Sequence, residues 1–257
     1  MEHPKDTLVC TELPYYRDIG YADLSDFFYI WLRRSLKETY PQMLVPMVTP
    51  KEELSTVSAY YGAAKEEAEE KYRSGIKTVC ERLYACSSME YPALLFYCFR
   101  KNDLECMKQG SAGGNQSAWE FMLESLLSAG FSITAVWPMR SEPVSGKADS
   151  TRVLIVARKG EGRQGQATRR GFINTLKREL PEQLQRLWSG HLSPEDELLS
   201  CIGQGLHVFS QYQSVLNADG STMCVHDALQ VIYLECEDYI AQKNEAASER
   251  VVETEEE

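Results

Sequence analysis

The sequence predicts an α/β fold: a mostly parallel sheet covered by helices, ending in an antiparallel strand pair and followed by a small, mostly helical C-terminal appendage. Three observations lead there. Apolar runs and helix-period stripes alternate over residues 7–159 in the order strand, helix, helix, strand, helix, strand, strand, the pattern of a parallel sheet with helical crossovers. The last two runs are joined by a loop without a helix, which pairs them antiparallel. Past residue 170 only helical periodicity returns.

Each element has a local reason. Residues 7–11, TLVCT, form a short apolar run suited to a strand buried on both faces. Leu24, Phe27, Phe28, Trp31, Leu32 and Leu36 then recur at helical spacing as one apolar stripe, with Arg33, Arg34 and Lys37 at the C-terminal end, where the helix dipole favours cations. Thr49-Pro50-Lys51-Glu52 reads as a capping box that starts another helix, and residues 63–87 as a long, largely surface-lying one. Residues 91–99, YPALLFYCF, predict a second interior strand, and 108–116 a flexible loop. Ser117 and Glu120 form a capping box ahead of a stripe of Trp119, Met122, Leu123, Leu126 and Leu127, which Gly130 stops. Strands at 131–139 and 151–159 flank a polar loop, and Trp119 and Trp137 read as core.

The domain reading is 1–159 as half of an α/β domain, 160–170 as a linker, 171–244 as a helical accessory region and 245–257 as a disordered acidic tail. Helices are expected at 172–188, after Ser193-Pro194-Glu195, and at 225–240. The basic residues Arg163, Arg169, Arg170, Lys177 and Arg178 read either as a solvated helix face or as neighbours of a phosphate backbone. A doubly wound domain needs strands ahead of residue 7, so the chain is expected to be the second half of a larger unit.

Composition narrows the function. The 257 residues are 43% hydrophobic and 25% charged, with a formal charge of -11, which opposes an isolated nucleic-acid binder while leaving room for local basic faces. The eight cysteines contain no Cys-x-x-Cys pair and the four histidines lack zinc-ligand spacing. Reduced cysteines and no metal site are the expectation. No apolar run approaches the ~20 residues that span a bilayer, and no signal-peptide pattern is present, so a cytoplasmic protein without a membrane role is expected.

One stretch asks for a use. TELPYY at residues 11–16 places Glu12, Pro14, Tyr15 and Tyr16 where the first strand ends. By itself it reads as a tight turn whose tyrosines pack on the helix of Phe27 and Trp31. Together with YADLSDFFYIWLRRSL, with LLSAGFSITAVWPMRSE at 126–142, and more loosely with residues 179–212, it resembles the Thr-Asp-Pro-Pro-Tyr-Tyr segment and following helix of the large adenine-specific DNA methylases that carry a zinc-ribbon insert, some of them associated with phage-defence loci.

That resemblance implies a partial Rossmann-like methyltransferase sheet, S-adenosylmethionine as methyl donor and an adenine of DNA as acceptor, within a restriction-modification or phage-defence system. Tyr15, with Tyr16 beside it, would stack on the extruded base. The Glu12 carboxylate and the Leu13 carbonyl would orient its amine, Pro14 would stiffen the turn, and Arg33, Arg34 and Lys37 would contact phosphates. Glu12 stands where the family has Asp, and Leu13 where it has Pro. The glycine-rich cofactor turn and the zinc-ribbon cysteines have no counterpart, Gly110-Ser111-Ala112-Gly113-Gly114 being no substitute because it does not follow a strand. A separate or missing N-terminal methylase half is therefore implied as partner, and the isolated chain is expected to be inactive. The alternative is a degenerate, non-catalytic subunit or interaction module of the same kind of system.

Overall fold

Strand and helix signals sort the chain into β1 (Cys10–Glu12), α1 (Tyr21–Leu36), α2 (Lys65–Cys86), β2 (Ala93–Arg100), α3 (Lys101–Gln109), α4 (Ala118–Ala129), β3 (Phe131–Met139), β4 (Ser150–Lys159), β5 (Gln164–Thr168), α5 (Arg169–Leu187), α6 (Pro194–Ser210), β6 (Tyr212–Leu216) and α7 (Val225–Glu255). The structure is a computed structural model that describes residues 6–14, 20–51, 54, 65–109, 116–139, 150–160, 163–187 and 193–255. It divides into two compact units, one made of Met1–Leu13 with Cys80–Glu257, the other of Pro14–Val79.

The first unit holds a four-stranded mixed sheet in the order β1-β2-β4-β3. β1 runs parallel to β2, and β4 is antiparallel to both β2 and β3. β1, β2 and β3 therefore point the same way, and β4 lies reversed between β2 and β3. The expected antiparallel pair is present, with Phe131 opposite Lys159 and Met139 opposite Arg152.

Period-two alternation decides what the sheet buries. Ala93, Leu95, Tyr97 and Phe99 of β2 and Val153, Ile155 and Ala157 of β4 face the core, while Leu94, Phe96 and Cys98 are only half-buried. The apolar run at 91–99 thus seals one face, not both. β1 is a correction of the same kind: it is an edge strand with Cys10 and Glu12 exposed, anchored by buried Val9 and Leu13 on either side.

α4 is built as its sequence dictates. The Ser117 side chain accepts from the Glu120 amide while the Glu120 carboxylate accepts from the Ser117 amide, and Gly130 ends the helix in the left-handed region at φ 109°. Trp119 is fully buried against the rings of Tyr97 and Phe99, at centroid distances of 5.1 and 5.3 Å. Trp137, expected in the core, is exposed instead, near the C-terminal end of β3. α3 occupies residues where no helix was expected from the sequence; its N-terminus is closed by Asp103, which accepts from the Arg100 amide at 2.9 Å.

The segment past residue 159 is not a linker leading to helices alone. Residues 164–168, inside the expected linker, form β5 and pair in parallel with β6, from Gln164 opposite Tyr212 to Thr168 opposite Leu216. α6 begins at Ser193 and Pro194 as expected, the Ser193 hydroxyl accepting from the Asp196 amide. It then lies close on β3, where a Cβ at Gly203 would stand 2.6 Å from the Val136 nitrogen. α7 continues through Glu255, taking in residues 245–255, which were expected to be a disordered tail. Cys201 of α6 and Cys236 of α7, both fully buried, are joined as a disulfide with Cα atoms 5.9 Å apart, against the expectation of reduced cysteines throughout.

In the second unit residues 44–51 return along one face of α1. The Tyr29 hydroxyl donates to the Pro46 carbonyl at 3.0 Å and Arg33 Nε to the Leu44 carbonyl at 3.2 Å. The Thr49 amide donates to Asp26, and Lys51 Nζ bridges Asp23 and Asp26 at 2.8 and 2.6 Å. The helix expected to start at Thr49-Pro50-Lys51 does not form there, residues 49–51 being non-helical. The covered face of α1 is that of Ala22, Asp26 and Tyr29, and the apolar stripe lies elsewhere, with Phe27 67%, Phe28 65% and Trp31 58% exposed. Ala68, Tyr72 and Ile76 supply this unit's buried side chains from α2.

Candidate functional site

Parallel direction puts the carboxyl ends of β1, β2 and β3, at Glu12, Arg100 and Met139, on one edge of the sheet. Open parallel sheets hold their ligands at such an edge. Glu12 closes β1 opposite Phe96, its side chain 41% exposed, with Oε1 3.8 Å from the Arg152 guanidinium of β4. A half-exposed pair at that distance contributes ~0–1 kcal/mol.

Leu13 follows with its side chain buried, which fixes the chain as it leaves the strand. Pro14 is exposed, and in the second unit its carbonyl accepts from the Tyr72 hydroxyl at 2.7 Å. Tyr15 and Tyr16, the residues expected to stack on a base, lie outside the described residues. Arg33 is tied to the Leu44 carbonyl, whereas Arg34 and Lys37 are exposed on the last turn of α1 and just beyond it. The structure thus brings Glu12, Leu13 and Pro14 together through the chain itself, and groups the three cations at one helix end.

Other reactive residue types serve the fold. Burial pushes the Cys80 thiol up to about 12, and burial followed by the nearby carboxylates of Glu120, Asp103 and Glu105 raises that of Cys106. A thiol so held is protonated at neutral pH and is a poor nucleophile. Among the described residues no group of three His, Cys, Asp or Glu side chains is arranged to hold a metal ion.

Two buried carboxylates have contacts that sequence reasoning missed. Asp103 accepts from the Arg100 amide and from the Tyr97 hydroxyl at 3.4 Å, and burial raises its pKa above the usual carboxylate value. Glu120, fully buried, meets His226 Nδ1 of α7 at 2.8 Å. The capping-box spacing announces the first oxygen of Glu120, but nothing near it in sequence announces the partner of the second.

No protein-family model matches the chain, and neither a curated protein nor a solved structure matches it. Among the described residues no helix is long and apolar enough to cross a membrane.

Proposed function

We propose that the chain supplies the target-base half of an S-adenosylmethionine-dependent adenine-specific DNA methyltransferase, with the methyl-donor pocket contributed by other polypeptide. The observation that carries this reading is the place of Glu12: a solvent-reachable carboxylate at the carboxyl end of an edge strand, in a sheet whose first, second and third strands point the same way and which ends in an antiparallel pair.

Adenine's exocyclic amine is a weak nucleophile because its lone pair is delocalised into the ring. A fixed carboxylate that accepts from it holds the nitrogen toward the methyl donor and favours the tetrahedral geometry it takes on as the new bond forms, which is positioning combined with charge stabilisation. Tyr15 then replaces the stacking lost on extrusion, worth ~1–3 kcal/mol per base. The pairing of Glu12 with Arg152 favours a second reading, in which the turn is retained as structure and the chain is a non-catalytic subunit of a DNA-modification or phage-defence system.

The test uses a duplex carrying 2-aminopurine at a single mismatched position, titrated with the full chain at low salt. A fluorescence change that Tyr15→Ala removes and Lys77→Gln, at an exposed cation given no role in DNA contact, leaves intact supports the first reading. Duplex binding without any change at the probe supports the second, and absence of duplex binding overturns both. The chain alone is expected to show no S-adenosylmethionine binding by calorimetry; micromolar affinity would place the donor pocket here instead.

A further inference from the structure

At the other end of the sheet from Glu12, where β3 begins and β4 ends, the first unit contains a cleft of about 250 Å³. Its lining is polar in all but Met89, and includes Ser132, Arg158, Lys159, Arg163, His207 and Gln211. Three are permanent cations, and no described residue lining the cleft is acidic. In a chain of formal charge -11, carboxylates are plentiful and three neighbouring cations are easily paired. Among the described residues these three have no carboxylate partner, and Lys159 Nζ stands 5.3 Å from the centre of the Tyr84 ring.

Their hydrogen bonds go to neutral main-chain oxygens. Arg158 Nη1 donates to the Glu90 carbonyl at 3.0 Å, Lys159 Nζ to that of Ala85 at 3.4 Å, and Arg163 Nη2 to those of Leu127 and Phe131 at 3.0 and 2.8 Å. Carbonyl oxygens fix where the side chains stand without cancelling their charge. His207 lies between the Ile133 carbonyl, 3.3 Å from Nδ1, and the Gln211 side-chain amide, 3.1 Å from Nε2. Beside the cations the wall lacks a side chain at Gly160, where a Cβ would stand 2.9 Å from the Gly130 carbonyl, 3.3 Å from Ser132 Oγ and 3.6 Å from Arg163 Nε.

We propose that this cleft binds a small phosphate-bearing anion, either free phosphate or the phosphate group of a monoester. Three cations, two at the end of β4 and one just ahead of β5, suit a compact anion with several oxygens better than a carboxylate, which one arginine satisfies through two parallel bonds. A dianion offsets most of the charge that the three cations bring together. Size sets the limit: drug-sized ligands occupy ~300–1,000 Å³, so this cleft takes one phosphate group and the few atoms attached to it. The site does not depend on the methyltransferase reading, lying at the opposite edge of the sheet.

The experiment is calorimetric titration of the full chain at low salt with inorganic phosphate, AMP and adenosine. Both phosphate-bearing probes are expected to bind with Kd below ~1 mM, weakening as salt rises, and adenosine is expected not to bind. Equal affinities assign the free anion and tighter AMP the monoester. Arg158→Gln combined with Lys159→Gln should weaken binding about tenfold or more, while Arg178→Gln, which removes the same kind of charge from an exposed position elsewhere, leaves it unchanged. Absence of phosphate and AMP binding at ~10 mM, adenosine binding as well as AMP, or equal losses in the two sets of variants would each overturn the proposal. Melting curves confirm that the variants are folded, and the wild-type titration decides the existence of the site by itself.

Discussion

Asp26 shows how a single side chain holds a segment that has little core of its own. The Lys51 ammonium, and after it the Thr49 amide, hold its carboxyl below the ordinary aspartate value of 3.8. Its folded-state pKa is depressed, so its contribution is fully present above 3.8 and is lost as pH falls through the lower folded value. Residues 44–51 are therefore expected to come away from α1 in acid, seen as loss of the Thr49 amide resonance from its folded position, and Asp26→Asn should abolish that acid step; an identical titration in the variant would refute the assignment. At this scale the sequence was legible where partners are neighbours. Ser117 and Glu120 cap each other three residues apart, and their spacing alone predicts it. The Glu120 contact with His226, 106 residues away, carries no local signature. Glu12 stands between these cases: a strand end was readable from the apolar run before it, but Arg152 beside it was not.

Helix α6 carries the clearest consequence at the scale of elements. Gly203 lets it approach β3 so closely that any side chain there meets the Val136 backbone, and main chain in a sheet does not move aside. Gly203→Ala is expected to cost ~1–3 kcal/mol by overpacking, read as a lower urea midpoint with an unchanged m-value; an unshifted midpoint would mean that α6 does not pack as described. α1 illustrates what periodicity can and cannot supply. Spacing identified the helix and its apolar stripe, yet the face that residues 44–51 cover is the one bearing Asp26 and Tyr29, because hydrogen bonds from Lys51, Thr49 and Tyr29 hold that segment in place. α3 was missed because its nine residues give too few apolar positions for a stripe, burying Met107 and little else that is apolar. β5, with the sequence QGQAT, has no apolar run at all. It is a strand because β6 lies alongside it.

For the whole molecule the Cys201–Cys236 bond closes a 35-residue separation across α6, β6 and α7. Closing a loop of that size removes denatured-state entropy equivalent to ~4 kcal/mol in the chain-entropy model. The oxidised chain should consequently lose several degrees of melting temperature in dithiothreitol, a shift absent from the Cys201→Ser, Cys236→Ser double variant; equal melting with and without reductant would remove the bond from the account. Chain order and local chemistry by themselves determined the alternation of elements, the ends of α4 and the start of α6, and the hairpin-like pairing of β3 with β4, since each depends on residues within a few positions of one another. Only the tertiary structure decided that β4 lies between β2 and β3, that β5 pairs with β6, which stripe of α1 is covered, and that Arg158, Lys159, Arg163 and His207 surround one cleft. Those outcomes join positions tens of residues apart, where what a residue does is set by the free energy of packing between elements and no longer by the neighbours it has along the chain.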